Sequence, residues 1–134
     1  MLLTSTRQLF QDYLEALVLR EDFARFLTDD VVWTTVETGE QITGRQAVAD
    51  HIAMLHTMVF DARPEVRVSG ATDSHAFLEA DFVGIHIGAL GDVAPTGARV
   101  RVPYCVVYDL TEEGISSLRF YMPSAMLMAQ VLGG

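Results

Sequence analysis

Residues 77–110 read FLEADFVGIHIGALGDVAPTGARVRVPYCVVYDL: two long runs rich in β-branched and aromatic residues, joined by a segment punctuated with Gly and Pro. Such runs, bounded by turn residues, mark paired strands, and the pattern predicts strands over 76–89 and 98–110. His86 stands in the first run between Gly84 and Gly88. Small neighbours on a strand leave room above the sheet, so the imidazole is expected to face a space rather than a packed core. Alternate strand residues share a face, which groups Ala80, Phe82, Gly84 and Gly88 with His86 as an apolar floor carrying one polar group.

Outward from this hairpin the pattern changes period. Leu9, Tyr13, Ala16 and Leu17 recur at helical spacing within 5–19, with Gln8, Gln11, Asp12 and Glu15 opposite and Ser5 placed to cap the first turn. A short helix is predicted over 22–27, then a β-branched strand over 31–37 and a turn at Thr38-Gly39-Glu40. A helix follows over roughly 45–60, with Val48, Ile52, Leu55 and Val59 on one stripe. Further strands are predicted over 65–69 and 115–122, the last after a turn at 111–114 that uses Gly114. Pro123 ends it, and Ser124 is placed to cap a final short helix with Met126, Leu127 and Val131. Helices first and a meander of long strands afterwards imply an α+β fold: a cone-shaped, curved antiparallel sheet wrapped around the N-terminal helices, with a pocket inside the cone.

Composition narrows the partners. A chain of 134 residues, half of them apolar, suits a single domain spanning 1–134 with one core. A net charge of −9 argues against nucleic acid and against an anionic membrane surface. Charged residues break every apolar run near the N-terminus, so no signal or membrane-spanning segment is expected. One cysteine, Cys105, permits no internal disulfide and no zinc cluster, and fits a cytoplasmic setting.

Gly84-Ile85-His86-Ile87-Gly88, followed by Ala94-Pro95-Thr96-Gly97-Ala98-Arg99-Val100, resembles the central hairpin of the SnoaL-like polyketide cyclases. That family belongs to the nuclear-transport-factor-2-like superfamily, with ketosteroid isomerases, limonene-epoxide hydrolases and scytalone dehydratases. Leu27-Thr28-Asp29-Asp30 before a strand, Thr43-Gly44-Arg45-Gln46-Ala47-Val48, and the closing Gln130-Val131-Leu132-Gly133 resemble other parts of the same pattern. The resemblance implies the cone fold and a cofactor-independent enzyme that cyclises or isomerises a hydrophobic polyketide- or terpenoid-like molecule. The alternative it admits is a non-catalytic ligand-binding or dimerisation module of the same fold.

Three residues are the catalytic candidates. His86 is either a proton-transfer group or a core histidine whose nitrogens are satisfied by neighbours. Glu37 shares a strand face with Trp33 and Thr35, and is either a base of raised pKa on an apolar wall or a solvated strand end. Through Gln11–Leu17 and Leu27–Glu37 the chain resembles the ketosteroid isomerases, which sets Tyr13 where they carry an oxyanion-donating tyrosine and Thr35 where they carry their catalytic aspartate. Their second oxyanion acid is replaced by Val106, so that isomerisation is disfavoured. The final strand reads Leu118-Arg119-Phe120-Tyr121-Met122-Pro123 where epoxide hydrolases and many cyclases carry an aspartate, which disfavours epoxide hydrolysis.

Trp33, Thr35, Met54, Phe82, Tyr104, Phe120 and Met122 are expected to line the substrate cavity. No metal or cofactor is expected: His51 and His56 are five apart on one helix, and Asp50-His51 reads as a solvated face. A homodimer is expected through an outer sheet face carrying Val83, Ile85, Ile87, Cys105 and Val107, with Arg119 and Tyr121 facing the same way.

Overall fold

The computed structural model describes residues 5–133. Ser5 opens the first helix by accepting a hydrogen bond from the Gln8 amide at 3.1 Å, and α1 runs Thr6–Val18. Its buried face is Phe10, Tyr13, Leu14, Ala16 and Leu17; of the predicted stripe Leu9 is only half-buried, and Phe10 and Leu14 join it. The short helix predicted over 22–27 is a single 3₁₀ turn, Ala24–Phe26. The chain then turns extended at once, so β1 spans Leu27–Thr35 rather than starting at 31. A turn with Gly39 at φ 79° leads to the short β2, Glu40–Thr43, and α2, Arg45–Met54.

The predicted helix to residue 60 does not stay α-helical. Its last turn, Leu55–Val59, widens to a π-helix, and β3 begins directly at Phe60 and runs to Ala71. β4 is His75–His86, β5 Arg99–Thr111, β6 Gly114–Tyr121 and α3 Ser124–Val131. Ser124 is the first residue of α3 rather than its cap; Pro123 occupies that position and offers no side-chain hydrogen bond.

The six strands form one curved, unclosed sheet in the order β2-β1-β6-β5-β4-β3. It departs from the expected meander at one seam: β1 and β6 run parallel, with Trp33 opposite Leu118 and Thr35 opposite Phe120. The β2–α2 excursion sends the chain to the far edge, and β6 returns to cover the exposed side of β1. Bulges between Val66 and Val68 of β3 and between Asp109 and Leu110 of β5 help bend the sheet. Inside the bend, Phe10, Leu27, Val31, Val48, Leu78, Tyr108, Ile115 and Leu118 form the core.

Both strand prolines lie where a ladder bond is expendable. Pro64 is on β3, an edge strand. Pro103 lies beyond Cys105, the last β5 residue paired with β6. Past that point α3 replaces the missing strand: the Gln130 amide donates to the Arg101 carbonyl (3.0 Å) and its oxygen accepts the Arg101 N–H (2.7 Å).

Candidate functional site

The glycines beside His86 do not open a space. A Cβ on Gly84 would lie 2.3 Å from the Asp61 carbonyl oxygen and 2.6 Å from Ala62 Cα; one on Gly88 would lie 2.1 Å from the Met58 carbonyl oxygen. Both are glycine because the neighbouring backbone presses against them. His86 is accordingly fully buried. Its Nδ1 accepts the Thr96 N–H at 3.1 Å, while the His86 N–H donates to Ala98 and the Gly97 N–H donates to the His86 carbonyl. Its ring leans on Phe60, centroids 5.3 Å apart. Here the residue anchors the loop between β4 and β5, and it is absent from the cavity lining. The expectation of an imidazole facing open space is corrected on this ground.

The cavity lies deeper in the cone. It measures about 230 Å³ and draws side chains from every helix and five of the six strands. α1 gives Tyr13 and Leu17, α2 gives Ile52, and the π turn gives Leu55 and His56. Period-two alternation on β5 turns Tyr104, Val106 and Tyr108 inward together, and β6 adds Leu118 and Phe120. Of the predicted lining, Trp33, Thr35, Phe82, Tyr104, Phe120 and Met122 are present, as are Tyr13 and Glu37. Met54 is not: it is 37 % exposed on the outer side of α2.

A belt of aromatic rings surrounds the space. Trp33 stacks on Phe120 (4.9 Å), Phe120 meets Tyr104 (5.7 Å), Tyr104 meets Phe82 (6.4 Å), and Phe82 meets His56 (5.5 Å). His51 packs its ring against Trp33 at 5.0 Å and is half-buried, whereas Asp50 beside it is exposed as expected. The Trp33 indole N–H donates to Thr35 Oγ1 at 2.9 Å, which satisfies both polar groups.

Polar groups in this wall are few, and three of them are phenols. Burial raises the pKa of Tyr13, Tyr104 and Tyr108 well above the ordinary phenol value; Tyr104 adds to it at Tyr13, where the Tyr108 hydrogen bond opposes it, and Tyr13 and Tyr104 add to it at Tyr108. All three therefore remain neutral hydrogen-bond donors at any physiological pH. Glu37 is exposed at the rim, where its carboxylate accepts from the Ser124 hydroxyl. Of the two readings of Glu37, its position matches the solvated strand end.

Sequence reasoning missed His56. Its Nδ1 donates to the Ile52 carbonyl at 2.8 Å, and its Nε2 is buried with no protein partner. Burial lowers its pKa, opposed by the Ile52 bond and assisted by the Arg20 guanidinium. No local pattern marks a π-helical turn in advance. Tyr108, absent from the expected lining, was legible: it stands two strand periods from Tyr104 and so shares its face. Among the described residues no group of three His, Cys, Asp or Glu side chains is arranged to hold a metal ion, and no helix is long and apolar enough to cross a membrane.

The family model described as the SnoaL-like domain matches residues 10–117. Solved structures share the whole architecture at low identity. A polyketide-cyclase candidate from Xanthomonas campestris pv. campestris is 22 % identical, with a TM-score of 0.81 over 95 % of this chain and 99 % of that one. A SnoaL-like polyketide-cyclase candidate from Jannaschia sp. is 14 % identical, with 0.83 over 100 % and 99 %. An epoxide hydrolase of the LEH-like type from M. tuberculosis is 20 % identical, with 0.72 over 98 % and 92 %. These likenesses establish the fold alone. No curated protein matches by sequence.

Proposed function

The chain belongs to the SnoaL-like domain family, and from that premise we propose that it is a cofactor-independent enzyme acting by acid/base chemistry on a hydrophobic small molecule. The reaction is a cyclisation or isomerisation of a polyketide- or terpenoid-like substrate, carried out in a single domain. One observation carries the reading: three neutral phenols, Tyr13, Tyr104 and Tyr108, converge on a cavity whose wall is otherwise almost wholly apolar. Donors preorganised in a dry site stabilise charge developing on a substrate oxygen far better than water does. The aromatic belt holds the ligand in its reactive conformation. At about 230 Å³ the cavity falls below the roughly 300–1,000 Å³ of sites for drug-sized ligands, so the substrate is compact. Glu37, paired with Ser124 at the rim, meets the ligand's polar end as it enters.

The test is titration of small cyclic ketones and their parent hydrocarbons, followed by the fluorescence of Trp33, the sole tryptophan. Saturable quenching is expected, with Tyr13→Phe weakening the ketones about 5- to 10-fold and the hydrocarbons little, as loss of one neutral hydrogen bond predicts. No saturable binding of either series would leave the non-catalytic module as the reading.

The same premise supports a homodimer through the outer face of the sheet. Phe77, Ile85, Ile87 and Tyr121 are each about 40 % exposed or more there, and Val83, Cys105 and Val107 are half-buried between them. Ile85→Glu should convert the dimer to monomer on size-exclusion chromatography.

A further inference from the structure

We propose that His56 is the proton acceptor of the cavity, taking an acidic C–H proton from a compact apolar ligand that carries an electron-withdrawing oxygen function. The inference rests on the acid/base reading above and names the group that reading lacks.

Three independent features converge on this residue. The first is its backbone. The π-helical turn Leu55–Val59 carries His56 into the cavity wall beside Ile52, and such turns concentrate at functional sites. The second is its tautomer. A carbonyl can only accept, so the bond to the Ile52 carbonyl keeps the proton on Nδ1 and leaves Nε2 as a lone pair. His86 is the opposite case: its Nδ1 accepts from Thr96, which puts the neutral ring's proton on Nε2. The third is the unpaired nitrogen. His56 Nε2 is buried and meets no protein donor. An unsatisfied buried acceptor is a standing cost, which a ligand hydrogen would remove. Nε2 is closed off by its neighbours, so a ligand reaches it when one neighbouring side chain turns aside.

His56 also faces a second cleft, lined by Arg20, Glu21, Thr57 and Arg63, and shares Leu17 and Ile52 with both spaces. The imidazole thus stands between the cavity and the outside, where a captured proton can be passed on. The charged groups around it are Arg20, whose guanidinium donates to the His56 carbonyl (3.4 Å), Asp61, which pairs with that guanidinium (2.7 Å), and Glu21 and Arg63 across the cleft. Burial, with Arg20 assisting, favours the neutral base.

The probe is 5-nitrobenzisoxazole, a flat apolar molecule that needs a single base. Nε2 takes the C3 proton, the C–H electron pair becomes the third bond of a nitrile, and the N–O bond breaks to leave a phenolate that the cavity phenols can receive. Wild type should accelerate this elimination, with kcat/KM falling as acid protonates one group whose pKa lies below the ordinary imidazole value. His56→Gln should lose about 100-fold or more in kcat/KM, the usual share of a general base. It should still bind the nitrophenol product within about 3-fold, and His75→Gln, on the outer surface, should match wild type. Nitrogen NMR of the unmodified protein supplies a readout independent of any variant: His56 should titrate from the Nδ1–H tautomer. An Nε2–H tautomer overturns the proposal. So does a rate that survives in His56→Gln and vanishes in Glu37→Gln, or product binding without acceleration beyond free imidazole; each of these leaves the cavity reading standing. Absence of both binding and turnover overturns the cavity reading, and this inference with it.

Discussion

Replacing Gly84 by alanine adds one methyl group where β4 pairs with the first residues of β3. Gly84 pairs with Ala62, and the new Cβ would sit 2.3 Å from the Asp61 carbonyl oxygen and 2.6 Å from both Ala62 Cα and Cβ. Carbon atoms rest about 3.5–4.0 Å apart, so the strands must separate locally by roughly 1 Å. Backbone atoms cannot swing aside as a flexible side chain would. Arg20 further pins β3 there, donating to the Ala62 carbonyl at 2.8 Å and to Asp61 at 2.7 Å. Overpacking of this kind costs about 1–3 kcal/mol, and disturbing the Arg20 bonds adds about 1 kcal/mol. The expected loss is therefore about 2–4 kcal/mol, or roughly 8–16 °C in Tm for a domain of this size. Urea unfolding followed by Trp33 fluorescence measures it. If Gly84 merely leaves space beside His86, alanine should instead stabilise by about 0.4–1 kcal/mol through the unfolded chain. A change smaller than 0.5 kcal/mol in either direction would refute the close-approach argument.

Arg20 is the one described non-glycine residue with positive φ, at 57°. Arg20→Ala should lose the guanidinium bonds and keep the strain of a Cβ at positive φ, whereas Arg20→Gly loses the same bonds but relieves that strain; glycine should be the more stable variant by about 1 kcal/mol in denaturant titration. His86→Leu leaves the Thr96 N–H without its acceptor and should cost about 1–2 kcal/mol, with faster hydrogen exchange over 94–98 and unchanged ketone binding. Because the His56 pKa is lowered on folding, the unfolded chain binds its proton first as pH falls. Stability should thus drop as pH goes below about 6.5, stop dropping below the folded value, and show a shallower slope in His56→Gln thermal melts across that window.

The sequence went furthest where periodicity alone decides placement. Tyr13 sits on the buried face of α1, and Phe120 and Met122 turn inward from the last strand, because a period of 3.6 or 2 assigns faces without knowledge of partners. Trp33, Thr35 and Tyr104 reached the cavity by the same rule. Met54 shows its limit: helical spacing cannot say how far along α2 the cavity extends. His86 shows another. Its inward parity was right, but Gly84 and Gly88 have two possible meanings, open space or the backbone of a neighbouring strand, and the choice depends on β3 and the turn before it, some 25 residues away.

What the sequence by itself determined was the α+β class, the order of the elements, the acidic and largely apolar composition, and the faces on which the aromatic residues lie, all set by local spacing and side-chain chemistry. Only the tertiary structure decided which polar groups meet. The parallel β1–β6 seam brings Trp33 onto Phe120, the curvature of β5 gathers the phenols of Tyr104 and Tyr108 beside Tyr13, and a π turn delivers His56. A cavity is the volume left between elements distant in sequence, and its chemistry depends on desolvation, which no single segment produces alone.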